Sequence, residues 1–121
     1  MPQTIMIAAS DPNISYLLQR YAEESGFEAV SVCQGRDVLS LAHSAHPSLI
    51  ILDTELPGTT GLKVLRYLKD EAATRAIPVV IYSAIDEPSE GWGDDVAGYL
   101  PKSVMFDDFI AVLRNTGIYP S

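Results

Sequence analysis

Asp53, Ser83 and Lys102 each stand where an apolar stretch of the chain stops. A carboxylate in such a place can be a nucleophile, a metal ligand or a cap, a small hydroxyl donates one hydrogen bond, and an ammonium neutralises anionic oxygens. Asp53 closes the run Leu49, Ile50, Ile51, Leu52 and precedes a Leu56, Pro57, Gly58 turn. An apolar run of that length without alternation is the pattern of a central strand buried on both faces, as parallel sheets require. In open α/β sheets ligands bind beyond the carboxyl ends of the strands, where the loops open into a crevice. Asp53 is therefore expected at the functional edge of such a sheet, and a site there depends on Ser83 and Lys102 converging on it.

Placing these residues requires strands alternating with helices. Thr4, Ile5, Met6, Ile7, Ala8 and Ala9 form the expected first strand, which Ser10, Asp11 and Pro12 stop. Asp11 fits an N-cap with Pro12 at the first helical position. Ile14, Leu17, Leu18, Tyr21 and Ala22 then follow at the spacing of one helix face, and Gly26 closes the helix. A second strand is expected from Phe27 to Val32, and a second helix from Gly35 to the stop at Pro47. Gly61, Val64, Leu65 and Leu68 mark a third helix, and Val79 to Tyr82 a fourth strand ending at Ser83 and Ala84. Gly98, Tyr99 and Leu100 make a brief fifth strand, and Phe106, Phe109, Ile110 and Leu113 lie on one face of a last helix. Between Ile85 and Val96, Pro88, Gly91 and Gly93 lie among acids with no apolar face, so no regular helix is expected. The alternation implies an α/β domain with a parallel sheet covered on both sides.

At 121 residues the chain is expected to be a single domain, residues 1–121, with its own core. Sixteen acids against eight scattered bases give a formal charge of −8. That balance disfavours direct nucleic-acid binding, which depends on neutralising phosphates, and suits protein partners or cations. No apolar run approaches a membrane span and no signal-peptide pattern opens the chain, so a cytoplasmic location is expected. The single cysteine, Cys33, is expected as a buried thiol. His43 and His46 lack companions for a metal site and read as solvated or as helix C-terminal dipole partners. Trp92, between Gly91 and Gly93, is either tucked over the sheet edge or exposed as a docking anchor.

The order Asp53, Ser83, Lys102, with Leu-Pro-Gly after the acid and Tyr99 three residues before the lysine, resembles the receiver domain of two-component response regulators. The resemblance covers essentially the whole chain. It implies a flavodoxin-like, doubly wound, five-stranded parallel sheet of order 2-1-3-4-5, with the fourth helix degenerate or missing here. It further implies a phosphorelay function, in which a histidine kinase or phosphotransfer protein delivers a phosphoryl group to Asp53 and hydrolysis removes it. Ser83 takes the hydroxyl role, Lys102 the cationic one and Tyr99 that of the aromatic switch. The output is a changed surface for a downstream protein partner, and the chain is then a switch, not an enzyme. The alternative is a pseudo-receiver, a binding module of the same fold that works without phosphorylation. A phosphatase of the haloacid dehalogenase type, with Asp53 and Glu55 as its acid pair, is disfavoured because Asp94 and Asp95 precede Lys102.

Two departures from the family bear on chemistry. The family holds Mg²⁺ with adjacent acids at the end of the first strand, and ungapped alignment on Pro12, Gly26, Phe27 and Asp53 places those positions at Ala9 and Ser10. The ligands left are Asp53, the backbone carbonyl of Glu55 and, one residue displaced, Asp11. Asp53 beside Lys102 with Ala9 and Ser10 opposite is already close to neutral, so Mg²⁺ is expected to bind weakly or not at all. The family also has proline after the lysine in a cis bond. Here Pro101 precedes Lys102 and Ser103 follows, so either the Leu100 to Pro101 bond carries that constraint or nothing does.

Overall fold

A computed structural model describes residues 3–83, 96–101 and 105–118, with the backbone alone at Glu55 and Ser83. The elements run β1 (Thr4–Ala8), α1 (Pro12–Glu24), β2 (Glu28–Val32), α2 (Gly35–Ala45), β3 (Leu49–Asp53), β4 (Glu55–Leu56), β5 (Thr59–Thr60), α3 (Gly61–Asp70), β6 (Val79–Ser83), β7 (Gly98–Pro101) and α4 (Phe106–Thr116). Five strands make one parallel sheet in the order β2-β1-β3-β6-β7, and β4 pairs with β5 in a separate antiparallel hairpin. Counted over the sheet strands alone, this is the expected 2-1-3-4-5 order of a flavodoxin-like fold. The expectation of a degenerate or missing fourth helix, and that for Trp92, fall outside the described residues.

The run at 49–53 is buried at all five positions because β3 is paired on both sides and covered on both faces. Alternation divides the sheet residues between two cores. Ile7, Ile51, Val80 and Tyr82 pack under α1 and α4, through Leu18, Phe109 and Leu113. Met6, Ile50, Leu52 and Ile81 pack under α2 and α3, through Val38, Val64, Leu65 and Leu68. Local chemistry sets the helix ends. The Asp11 carboxylate accepts from the Asn13 N–H at 2.9 Å with Pro12 in the first turn, and Gly26 leaves α1 at φ +92°.

Cys33 is exposed, contrary to expectation. It follows β2, the edge strand, where the sheet has no further neighbour and the connection to α2 runs over the surface. His43 is not merely solvated, since its Nε2 lies 2.6 Å from Glu71 Oε2 and ties the end of α2 to the end of α3. The Leu56, Pro57, Gly58 turn is the tip of the β4–β5 hairpin, with Gly58 at φ +84°. Among the described residues, no helix is long and apolar enough to cross a membrane.

Candidate functional site at the carboxyl edge of the sheet

Register brings the strand ends together. Ala8 lies opposite Leu52, Asp53 opposite Tyr82, Tyr82 opposite Leu100, and Ser83 opposite Pro101. Residues paired across parallel strands project to the same face, so Asp53 and Tyr82 share the α1/α4 face. Both are buried, Asp53 at 2% and Tyr82 at 1% exposure, beside Ala9 at 3%. The chain leaves Asp53 and returns tightly. Gly61 N–H donates to the Thr54 carbonyl at 3.0 Å, and a Cβ on Gly61 would lie 2.5 Å from the Asp53 carbonyl oxygen. Glycine is therefore required for α3 to start against the end of β3.

The electrostatics of this corner show in Tyr82. Its phenol is pushed above the ordinary tyrosine range, by burial first and then by the negative charges of Asp53 and Asp11. No buried side-chain nitrogen or oxygen among the described residues lacks a hydrogen-bond partner.

The expected site residues are placed as follows. Asp53 ends the central strand, and the Ser83 backbone ends its neighbour β6 at the same edge. The Ser83 hydroxyl and all of Lys102 lie outside the description. Tyr99 is half-buried in β7 opposite Ile81, which puts it on the α2/α3 face, away from Asp53. Asp11 is exposed and engaged as the α1 cap. Glu55 opens the hairpin opposite Thr60, so its carbonyl is close to Asp53 in sequence. No cis peptide occurs among the described residues, the Leu100 to Pro101 bond included. Tyr82 was not anticipated as part of this corner. The signal for it was a hydroxyl-bearing aromatic at the last position before Ser83, which reads equally well as core.

Mg²⁺ asks for six oxygens in near-octahedral array, normally with one or two carboxylates. Among the described residues no group of three or more His, Cys, Asp or Glu could hold a metal ion. At the acid-pair positions stand the buried methyl of Ala9 and the exposed Ser10, and Asp11 is engaged as a cap. The donors described do not fit the family's metal site. A cavity of about 830 Å³ lies elsewhere, between α2, the hairpin and α3, lined by Arg36, Leu39, Thr59, Val64 and Tyr67 among others.

Comparison with known proteins agrees with the topology. The model of the response regulator receiver domain matches residues 5–114. The polar-differentiation response regulator DivK of Brucella ovis is 32% identical over 119 residues, covering 95% of this chain and 96% of that protein. A putative response regulator from Chloroflexus aurantiacus superposes with a TM-score of 0.87 at 21% identity, over 97% of this chain and 99% of the other. TrrA from Thermotoga maritima, solved in complex with Mg²⁺-BeF, gives a TM-score of 0.84 at 25% identity, over 94% and 98%. A five-stranded 2-1-3-4-5 sheet with a buried aspartate at the end of its central strand is thus found in a chain that belongs to the response regulator receiver domain family.

Proposed function

We propose that residues 1–121 act as one cytoplasmic phosphorelay receiver, taking a phosphoryl group on Asp53 from a histidine kinase or phosphotransfer protein. An Asp53 carboxylate oxygen attacks phosphorus, the P–N bond to the donor imidazole breaks, and its electron pair stays on nitrogen. Later attack by water breaks the new O–P bond, releasing inorganic phosphate and restoring the carboxylate. The observation that carries this reading is the burial of Asp53, 2% exposed, at the carboxyl end of the central strand. A polar stop to a strand has no need of burial, whereas a nucleophile gains from a dry site lined by donors. Ser83 would donate to one phosphoryl oxygen and Lys102 would neutralise the charge. Tyr99 would report the modified state on the α2/α3 side of β7, to a downstream protein.

A second reading, the phosphorylation-independent pseudo-receiver, is favoured by Ala9 and Ser10 standing where the family has acids. Incubation with acetyl phosphate and Mg²⁺, followed by intact mass measurement, separates the two. Gain of one phosphoryl group by the native protein and none by Asp53→Asn is the expected result. No gain by the native protein, from acetyl phosphate or from a phosphorylated kinase, establishes the pseudo-receiver instead.

A further inference from the structure

We propose that the cavity between α2, the β4–β5 hairpin and α3 is a binding site for a small aromatic anion, recognised by Arg36 and Tyr67 over an apolar floor. It lies on the α2/α3 face, opposite to that of Asp53, and does not rest on the phosphorylation reading.

Three elements build its walls. Helix α2 contributes Arg36 and Leu39, the hairpin Pro57 and Thr59, and α3 Val64 and Tyr67. The hairpin and α2 are pressed together, since a Cβ on Gly35 would collide with the Thr59 methyl group and come within 3.3 Å of Val64 Cγ2. At the far end of the two helices His43 Nε2 meets Glu71 Oε2 at 2.6 Å. The space left between them is about 830 Å³, inside the range of about 300–1,000 Å³ typical of small-molecule sites. Walls tied at both ends form the hollow before any ligand arrives, so little ordering opposes binding.

The lining specifies the chemistry. Val64, at 4% exposure, is the floor, with Leu39 and Pro57 adding apolar surface. Tyr67 leaves 58% of its surface exposed beside this apolar space, so its ring has aromatic contact still to gain. Arg36 is the only charged residue of the lining, in a chain whose formal charge is −8. Asp37, next in the chain, lines a different hollow with Ser40 and Ser44. Among the described residues neither the Arg36 guanidinium nor the Tyr67 hydroxyl has a hydrogen-bond or ion-pair partner. A guanidinium forks onto a carboxylate, sulfonate or phosphate and stacks on aromatic rings. A cation would meet like charge here, and a wholly polar ligand would gain nothing from the apolar walls. Rings carrying one anionic group satisfy both demands.

The test probe is 8-anilinonaphthalene-1-sulfonate, which fluoresces when its rings leave water, titrated into the native protein at neutral pH. Saturable binding with a dissociation constant of about 10–100 µM is expected. Arg36→Glu should weaken it about 10-fold and Tyr67→Ala about 3- to 10-fold. Arg66→Glu, the same charge change on α3 outside the lining, should stay within about 2-fold of native. All three side chains are exposed, so these variants keep the core intact. Equal losses at Arg36 and Arg66 would show a general effect of charge and overturn the site. N-phenyl-1-naphthylamine keeps the rings and lacks the sulfonate, and it should bind native protein and Arg36→Glu alike; a matching loss of this neutral probe would overturn the assigned anion. NMR shifts locate the probe on the native protein without any variant, and those of Leu39, Thr59 and Val64 should move on adding the sulfonate. Absence of saturable binding, or shifts confined to other surfaces, overturns the proposal.

Discussion

The two faces of the sheet are filled with the same kinds of side chain yet end differently at the carboxyl edge. Under α1 and α4 the last tier holds Ala9, Asp53 and Tyr82. Under α2 and α3 it holds Ala8, Leu52, Ile81 and Tyr99. Both tiers carry one tyrosine, but Tyr82 is buried against an acid and Tyr99 is half-buried among aliphatics. The difference puts the proposed acceptor on one face and the expected switch residue on the other. A switch at Tyr99 would therefore sense Asp53 through the paired backbones of β6 and β7, not by direct packing.

Truncation of each tyrosine should expose this asymmetry most strongly. Tyr82→Ala is expected to cost about 3–5 kcal/mol in urea unfolding, the range for a fully buried aromatic, and Tyr99→Ala about 1–2 kcal/mol because it is only partly buried. Equal losses would mean that the two tiers are equivalent in packing and would break the comparison.

Restoring charge to the acid-bearing tier is the next test. Ala9→Asp with Ser10→Asp places two carboxylates beside Asp53, and Mg²⁺ affinity should rise about 10-fold or more, equivalent to about 1.4 kcal/mol. Without Mg²⁺ the same variant should unfold at lower temperature than native, through repulsion of like charges. A calorimetric titration showing no gain in affinity would place position 9 away from Asp53, against the register.

A smaller effect separates the cap role of Asp11 from any ligand role. Asp11→Ala removes the acceptor for Asn13 N–H, and Thr60→Ala removes that for Lys63 N–H at the start of α3 on the other face. Each should cost about 1 kcal/mol in chemical denaturation. A markedly larger loss at Asp11 would show that it serves the corner around Asp53 as well as the helix.

The strongly patterned elements were legible from residues alone. The unbroken run Leu49 to Leu52 read as a strand covered on both faces, and Asp11-Pro12 with Gly26 bracketed α1 because those residues satisfy helix ends by local chemistry. What escaped depended on partners distant in sequence. Cys33 reads as apolar beside Val32, and only the edge position of β2 makes it exposed. His43 meets Glu71 across 28 residues, a contact that no local spacing encodes. Tyr82 belongs to a buried strand by pattern, and only the register shows that it lies beside Asp53. Asp53 was legible as a strand-end acid, while the hydroxyl of Ser83 and the position of Lys102 remain expectations from the sequence.

The finest distinction between the two tiers lies in alkaline titration. The Tyr82 phenol is neutral when protonated, and its folded-state pKa is raised by burial and by the charges of Asp53 and Asp11. Above about pH 10, where an unfolded tyrosine loses its proton, the folded protein retains this one, so the unfolded state binds fewer protons and stability falls with rising pH. The contribution is complete below that range and is lost as the pH climbs through the folded value. Tyr82→Phe, which has no such proton, should flatten the fall in denaturation midpoint between about pH 9.5 and 11. An unchanged slope would mean that the alkaline loss comes from other groups, and that the negative charges at the edge do not act on Tyr82.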